Sequence, residues 1–163
     1  MTTMTETTTQ VFRVWIKADR TKVWDAITDP EWNGRYGYQA VGEYDLEPGG
    51  GYRVLATAEM KEHGASDVII EGEVLESDPP KRLVQTWHAL FGPETTAEPP
   101  TRLTWVLEEP QPGLTELTLT HELEGAPNTA FIVSGEAKDA GGGWAWILSD
   151  LKSLLETGAS MNA

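Results

Sequence analysis

The first part of the chain alternates between apolar and polar positions and then changes to a helical spacing. Over residues 10–17 every second side chain is apolar, which predicts a half-buried strand. Segment 20–28 places its apolar residues on one helical face, and Asp19 before it is typical of an N-cap, so a short helix is predicted there. Because the residue before a proline avoids the helical region, this helix is expected to end before Pro30. A second short helical turn is predicted over 31–36.

The central part of the chain predicts a series of strands joined by short turns. Apolar runs alternate with clusters of turn-forming residues, of which Glu-Pro-Gly-Gly-Gly at 47–51 is typical of a hairpin. The stretch 92–100 holds three prolines and no apolar periodicity, which predicts a long loop. Short connections favour antiparallel order, and a further turn is predicted over 110–113. The predicted strands cover residues 38–46, 52–60, 68–77, 82–91, 102–108 and 114–123.

The last part of the chain changes to a helical period. Six apolar residues fall on one face of a predicted C-terminal helix, and Gly158 is well placed as its C-cap. Upstream, 128–138 is predicted as a further helical piece and the glycines at 141–143 as a break before the main helix; the conformation of 128–143 as a whole is left open. The apolar face consists of Trp144, Ile147, Leu148, Leu151, Leu154 and Leu155.

The order of these elements predicts an α+β fold. One strand, two short helices, a run of strands and a long helix indicate a curved antiparallel sheet of six to seven strands wrapped on the C-terminal helix, because a sheet with one apolar face must cover it. A groove that one helix does not fill completely would leave a cavity for a small molecule. One domain is predicted over 10–158, with a disordered tail at 1–9 and a short tail at 159–163.

Composition and charge exclude several classes of function. The net charge of −14 disfavours nucleic acid and anionic membrane surfaces as partners, because both are negatively charged. The chain has no cysteine, so disulfides and thiolate chemistry are excluded. No apolar run approaches the ~20 residues that cross a bilayer, and the first residues lack the pattern of a signal peptide, so a cytoplasmic location is expected. The three histidines are scattered, and neither a metal site nor a cofactor is predicted.

Strand parity identifies the side chains that would line the cavity. Seven tryptophans is a high number for this length, and large rings make good cavity walls. His121 shares the apolar face of its strand. It is interpreted as a hydrogen-bonded histidine at the edge of the core, with a polar group that binds ligand inside the cavity as the functional alternative. No pair of acids stands out for acid–base chemistry, so no catalytic residue is predicted. The candidate ligand-binding residues are Trp32, Tyr36, Tyr38, Trp87, Trp105, His121, Phe131 and Trp144.

Several of these motifs together resemble a known superfamily. The run Phe12 to Pro30, read as F-x-V-x-I-x-A-x-x-x-x-V-W-x-A-I-T-D-P, looks like the opening of the START-like, or SRPBCC, superfamily. Within it the chain is similar to the short bacterial single-domain branch named after the activator of heat-shock-protein-90 ATPase. The resemblance covers about residues 10–158 and implies the helix-grip fold with a cavity between sheet and helix. The further matching stretches are 47–52, 72–76, 79–83 and, in the final helix, 143–144, 148 and 151–158.

Three functions remain open on these grounds. The first is non-enzymatic binding of a small hydrophobic molecule by a carrier or sensor, which the implied cavity and the missing catalytic constellation favour. The resemblance also implies a stress-response module that interacts with a chaperone ATPase, although that role in larger relatives uses an additional domain. The third alternative is an aromatase- or cyclase-like enzyme acting on a polyketide-type substrate. The sequence identifies neither the ligand nor the oligomeric state, and a homodimer is left open.

Overall fold

A computed structural model of the chain describes residues 8–137 and 141–162. The strands are β1 (Thr9–Ile16), β2 (Gly42–Tyr44), β3 (Gly51–Leu55), β4 (Val68–Asp78), β5 (Arg82–Ala89), β6 (Thr101–Gln111) and β7 (Leu114–Glu122). The helices are α1 (Arg20–Thr28), α2 (Pro30–Asn33), α3 (Ala58–Glu62), α4 (Pro93–Thr96), α5 (Pro127–Val133) and α6 (Gly143–Thr157).

The strands form one antiparallel sheet in the order β1-β7-β6-β5-β4-β3-β2. Irregular pairing at Val54/Leu55 in β3 and at Val74/Glu76 in β4 bends the sheet, as β-bulges do. The α6 helix packs its predicted apolar face into the core: Leu151 is fully buried, and only Ile147 of the six residues is half-buried. The predicted α+β helix-grip fold is therefore confirmed.

The beginning of the domain follows the sequence prediction closely. In β1 the inward positions end with the fully buried Ile16, while Trp15 on the other face is 46% exposed. The α1 helix has the predicted bounds, because the Asp19 carboxylate accepts a hydrogen bond of 2.8 Å from the backbone N–H of Lys22. Asp29 caps α2 in the same way, but α2 ends at Asn33, so the predicted turn over 31–36 is too long.

Two of the predicted strands are shortened by turns that the apolar pattern does not reveal. The strand predicted over 38–46 is only β2, because Gly37 and Gln39 have φ values of 64° and 62° and cannot continue an extended backbone. The strand predicted over 52–60 ends at Leu55. Thr57 then accepts a 3.2 Å hydrogen bond from the N–H of Met60 and begins α3, so a local cap overrides the alternating pattern.

The later connections also differ in detail from the prediction. The strand predicted over 82–91 ends at Ala89, and the predicted loop over 92–100 contains the short helix α4. The β6 strand continues through Pro110 into the predicted turn over 110–113. The helical piece predicted over 128–138 is α5, which ends five residues earlier, and Lys138 lies outside the described residues.

The ends of the described chain are partly ordered by hydrogen bonds. Of the predicted tail over 1–9, residues 1–7 lie outside the described residues, and Thr9 belongs to β1. At the other end, the segment 159–162 returns to α6, where Asp150 holds it. None of the helices within residues 8–137 and 141–162 is both long and apolar enough to cross a membrane.

Candidate functional site

A cavity of about 610 Å³ lies between the sheet and the C-terminal helix. Its walls come from β2 to β6, from α6, from single residues of α1, α2 and α3, from the end of α5, and from the loops that follow α2, α3 and β5. The lining is dominated by apolar atoms, which is typical of sites for small molecules. The ring-bearing lining residues are Tyr36, Tyr38, Tyr44, Tyr52, Trp87, Phe91, Trp105 and Trp144. The larger aliphatic ones are Ile27, Val54, Met60, Ile69, Ile70, Leu90, Ile132, Val133 and Ile147.

Three tryptophans form a continuous wall. The ring of Trp144, on the first turn of α6, lies 5.8 Å from Trp87 and 5.7 Å from Trp105, measured between centroids. The pair with Trp105 is nearly perpendicular, at 87°, which places the positive edge of one ring against the negative face of the other. The sheet positions Trp87 and Trp105, and the helix positions Trp144, so this wall joins the two layers of the fold.

His121 supports this wall from behind. It is fully buried and does not line the cavity. The Trp144 indole N–H donates to its Nδ1 at 3.0 Å, which leaves the proton on Nε2, 2.7 Å from the hydroxyl oxygen of Thr101. That hydroxyl donates in turn to the backbone carbonyl of Trp87 at 2.6 Å. Burial lowers the pKa of His121 to about 3, so the ring is neutral and fixes both tryptophans in place.

A buried amide lies next to the ring-lined wall. Gln85 is fully buried on β5, two residues before Trp87 and therefore on the same face. Its Oε1 accepts from the Tyr44 hydroxyl at 2.8 Å and from the Trp105 indole N–H at 3.2 Å. Because an indole N–H can only donate, these contacts fix the orientation of the amide. The Gln85 Nε2 group and the Trp87 indole N–H have no hydrogen-bond acceptor within the described chain.

Three tyrosines line the cavity beside this amide: Tyr36 and Tyr52 are buried, and Tyr44 is half-buried. Burial, more than any neighbouring charge, raises the pKa of Tyr36, Tyr44 and Tyr52 above the ordinary value of a phenol. The Tyr36 hydroxyl donates to the carbonyl of Ala26 at 2.9 Å. The rings of Tyr44 and Tyr52 pack at a centroid distance of 4.4 Å. The tyrosines therefore present neutral hydroxyl groups in an environment that disfavours negative charge.

Exposed lining residues mark the mouth of the cavity. Tyr38 is 40% exposed and Phe91 is 44% exposed. The Tyr38 ring stacks on Trp146 of α6, with centroids 5.0 Å apart and an angle of 29° between the planes. Trp146 lies on the side of α6 opposite its apolar face. The loop after α2 covers Trp146 there through the stacked ring of Tyr38. The mouth thus lies between that loop and the segment around Phe91.

A buried carboxylate anchors one side of this mouth. Asp150 on α6 is fully buried and accepts from the backbone N–H of Gly37 at 2.9 Å and from that of Met161 at 2.6 Å. The Ser160 hydroxyl donates to it as well, at 2.9 and 2.8 Å. One side chain therefore ties the Gly37–Tyr38 loop and the C-terminal segment to the helix.

Replacing this carboxylate is expected to loosen the mouth. We expect Asp150→Ala to lower the free energy of unfolding by about 1–3 kcal/mol, because it leaves buried N–H groups without acceptors. Ser160→Ala removes only one donor and should cost less than about 1 kcal/mol. Urea unfolding measures both values, and hydrogen exchange at Gly37 and Tyr38 should accelerate only in the Asp150 variant. Equal exchange in the two variants would contradict the anchoring role.

The structure brings five of the eight predicted site residues together in the cavity lining. These are Tyr36, Tyr38, Trp87, Trp105 and Trp144. Trp32 lies outside the lining, where the guanidinium of Arg35 covers its ring at 4.7 Å. Phe131 on α5 is 51% exposed and also lies outside, while its neighbours Ile132 and Val133 face the cavity. His121 is hydrogen-bonded, as its structural interpretation expects, but it is fully buried and does not lie at the edge of the core.

The polar part of the site was not predicted from the sequence. Tyr44, Tyr52 and Gln85 are absent from the candidate residues, although a signal exists for Tyr52 and for Gln85. Tyr52 shares its strand face with Val54, and Gln85 has the parity of Leu83 and Trp87. A glutamine at an inward position of a central strand indicates a buried amide, and buried amides are hydrogen-bonded to other polar groups.

Comparison with known proteins places the chain among helix-grip proteins. The model of a family described as "Activator of Hsp90 ATPase homolog 1-like protein" matches residues 8–156. CalU16 from Micromonospora echinospora superposes with a TM-score of 0.65 at 21% identity, over 94% of this chain and 78% of that one. PFC0360w from Plasmodium falciparum, described as an HSP90 activator, gives 0.64 at 17% identity, over 91% and 96%. DynU16, from the dynemicin biosynthetic locus, gives 0.66 at 24% identity, over 94% of this chain but only 49% of that one. No curated protein sequence matches the chain.

Proposed function

The chain belongs to the Activator of Hsp90 ATPase homolog 1-like family, and on that premise we propose that it binds a small hydrophobic molecule between its sheet and its C-terminal helix. The observation that carries this proposal is the cavity of about 610 Å³ with its wall of tryptophan and tyrosine rings. Pockets of roughly 300–1,000 Å³ take up most of the surface of a drug-sized ligand. The close-packed core of an ordinary domain contains few voids larger than a water molecule, so a cavity of this volume is not a normal feature of packing.

The lining favours binding over acid–base catalysis. Among the described residues that line the cavity there is no histidine, aspartate, glutamate, lysine or arginine. The titratable lining groups are tyrosines, and burial raises the pKa of three of them further from neutrality. His88 lies outside the lining, where it faces the carbonyl of Thr96 at 3.0 Å and the carboxylate of Glu71 at 3.8 Å. An aromatase- or cyclase-like reaction would therefore have to proceed with the phenol and indole groups, the Asn33 amide and the Ser66 hydroxyl, none of which is charged.

Interaction with a chaperone ATPase is the alternative function. It is supported by the family description and by a relative of similar fold that is described as an HSP90 activator. A pull-down of the chaperone by the purified chain, together with a change in its ATPase rate, would favour this role. Binding of an apolar molecule with no effect on that ATPase would favour the carrier or sensor.

Uptake of a neutral apolar probe tests the binding proposal. We expect the fluorescence of N-phenyl-1-naphthylamine to rise when it enters the cavity, with Trp87, Trp105 and Trp144 quenched in parallel. The variant Val54→Trp fills the cavity from β3 and should weaken probe binding at least about tenfold. The matched control Val11→Trp adds the same ring at a position that is 57% exposed on β1 and should leave binding unchanged.

Two results would contradict the proposal. One is no probe uptake by the wild-type chain, and the other is an equal loss of binding in both tryptophan variants. Thermal unfolding of each variant checks that the added ring has not changed the fold. Native mass spectrometry of the chain purified from its own host would then look for a retained small molecule.

A further inference from the structure

The backbone of β1 is unpaired along one side. β1 is the outermost strand of the sheet, and β7 is its neighbour. The N–H of Leu123 donates to the carbonyl of Thr8, so even-numbered residues of β1 point their backbone groups towards β7 and odd-numbered residues point theirs away. Within the described chain, the outward backbone groups of Thr9, Val11 and Arg13 have no hydrogen-bond partner. Such groups are a template for another extended chain.

The far end of this edge is closed by two side chains of α6. The Lys152 ammonium donates to the carbonyl of Trp15, and the Glu156 carboxylate accepts from the N–H of Lys17 at 2.8 Å. These contacts use outward backbone groups of odd-numbered residues, in agreement with the pairing of β1 and β7. The free part of the edge is therefore limited to residues 9–13.

The opposite edge of the sheet does not offer a second site of this kind. β2 has only 3 residues, and the Asn33 amide accepts from the N–H of Gly42 at 2.9 Å and donates to its carbonyl at 2.8 Å. Short and covered edges resist pairing with another chain. With one free edge, a chain that pairs with a second copy uses the same surface on both copies and forms a closed dimer.

Apolar side chains lie on both sides of the free edge. Val11 is 57% exposed on the outer face of the sheet. On the helix side, the Gln10 amide donates to the carbonyl of Ala130 on α5 at 3.0 Å, and the neighbouring Phe131 is 51% exposed. Residues 9–13 contain neither of the residues, proline and lysine, that commonly protect a free edge. A second chain on this edge would therefore bury apolar area as well as pair backbone groups.

An antiparallel pairing about Val11 uses only the free part of the edge. Val11 then lies opposite Val11 of the second copy, and Thr9 lies opposite Arg13, which gives about six backbone hydrogen bonds, two at each pair. A pairing centred on Arg13 would instead set two guanidinium groups against each other and reach the carbonyl that Lys152 occupies. The register about Val11 is therefore preferred.

This register also brings opposite charges together. Thr9 lies opposite Glu122 on β7, so Arg13 of the second copy, Thr9 and Glu122 follow one another across the outer face. Neighbouring strands lie about 4.8 Å apart, so the Cα atoms of that arginine and Glu122 would be about 10 Å apart, which their long side chains span. In the single chain these two side chains are 57% and 52% exposed.

We propose that the chain forms a two-fold dimer through the β1 edge, with the two β1 strands antiparallel and centred on Val11. The two sheets become one continuous sheet. Within the described chain no residue of β1 or β7 lines the cavity, so the dimer leaves both cavities open and goes beyond the proposed function. The interface is small and each copy carries a net charge of −14, so dimerisation should require micromolar or higher concentrations.

Sedimentation equilibrium and amide hydrogen exchange of the full chain test this proposal together. We expect a monomer at low micromolar concentration and a dimer at submillimolar concentration. Exchange at the amides of Val11 and Arg13 should slow several-fold as the dimer forms, because their N–H groups gain acceptors. Exchange at Phe12 should not change, because its N–H already points towards β7.

Three variants assign the dimer to this edge. Val11→Lys places two ammonium groups opposite each other and should raise the dimer dissociation constant at least about tenfold. Val11→Pro removes the central outward N–H and leaves the pairing with β7 in place, so it should abolish the dimer. The matched control Leu75→Lys makes the same change at an exposed apolar position of β4 and should leave the dimer intact. Binding of N-phenyl-1-naphthylamine should be unchanged in all three.

Several results would overturn the proposal. These are a monomer over the whole concentration range, a dimer that persists in the lysine variant, assembly beyond the dimer, or unchanged exchange at Val11 and Arg13 in the dimer. Binding of an unrelated extended peptide to the edge of a monomeric chain would assign the edge to another protein and overturn it as well. Val11→Lys keeps the test decisive if Val11→Pro does not fold. Because the naphthylamine reports on the cavity alone, its failure to bind would overturn the proposed function and leave the dimer standing.

Discussion

Acidification from about pH 7.5 to pH 5 is expected to lower the free energy of unfolding by about 2 kcal/mol through His121 alone. In the folded chain burial depresses the pKa of this histidine from 6.5 to about 3, so the ring stays neutral in this interval. The unfolded chain takes up a proton on the same ring below about pH 6.5. The unfolded state therefore binds more protons than the folded state, and stability falls as the pH falls from 6.5 towards 3.

The cause of this effect lies in the hydrogen bonds of the ring. A protonated imidazole donates from both nitrogens, but the Trp144 indole already points its N–H at Nδ1. Charging the ring would set two donors against each other and leave a buried cation beside two aromatic rings, those of Trp87 and Trp144. Urea unfolding of the wild type and of His121→Gln at several pH values measures the effect. The variant should be less stable at pH 7.5 but should lose less stability on acidification.

A matched control separates this histidine from the rest of the chain. His63→Gln changes an exposed histidine and should retain the full acid sensitivity. The lowered pKa values of Glu98 and Glu109 add acid sensitivity only at lower pH, as each carboxylate approaches protonation. An identical pH dependence of His121→Gln and wild type between pH 7.5 and 5 would contradict the assignment.

The sequence predicts the framework of the fold because the framework depends on period and capping. The leucine face of α6, the alternation in β1 and the Asp19 cap are local signals, and each corresponds to the element found. The errors fall where a single residue overrides a pattern. Thr57 begins a helix in a segment that alternates like a strand, and the positive φ of Gln39 ends an extended segment that reads as continuous.

The site is less predictable because it depends on contacts between distant strands. The alternation of side chains along β5 and β6 correctly places Trp87 and Trp105 on the cavity side. It does not reveal that Gln85, on the same face as Trp87, accepts hydrogen bonds from both Tyr44 on β2 and Trp105 on β6. Trp32 on α2 and Phe131 on α5 lie outside the lining, because aromatic character alone does not determine which way a helical side chain points. Which side chains line the cavity is decided by how elements distant in the sequence pack together, and no local sequence pattern encodes that packing.

The largest single-residue effect on the structure is expected at the junction of α5 and α6. Gly143 begins α6 with φ at 68°, a conformation that costs an L-residue about 1–2 kcal/mol. A Cβ at this position would lie 2.3 Å from the carbonyl oxygen of Val133 and 2.6 Å from the backbone N of Gly135. Both neighbours are backbone atoms, so relief requires α5 and α6 to move apart. We therefore expect Gly143→Ala to lower the free energy of unfolding by at least about 3 kcal/mol.

The matched control for this prediction is Gly113→Ala in the turn between β6 and β7. Gly113 has a similar φ of 82°, but a Cβ there would meet no atom within 4 Å. Its variant isolates the cost of the backbone conformation, which should be about 1–2 kcal/mol. Because Gly143 and Val133 both line the cavity, Gly143→Ala should also weaken binding of N-phenyl-1-naphthylamine, whereas Gly113→Ala should not. Equal losses of stability in the two variants would contradict this prediction. The backbone conformation of the glycine would then account for both losses, and the close approach of α5 and α6 would add nothing.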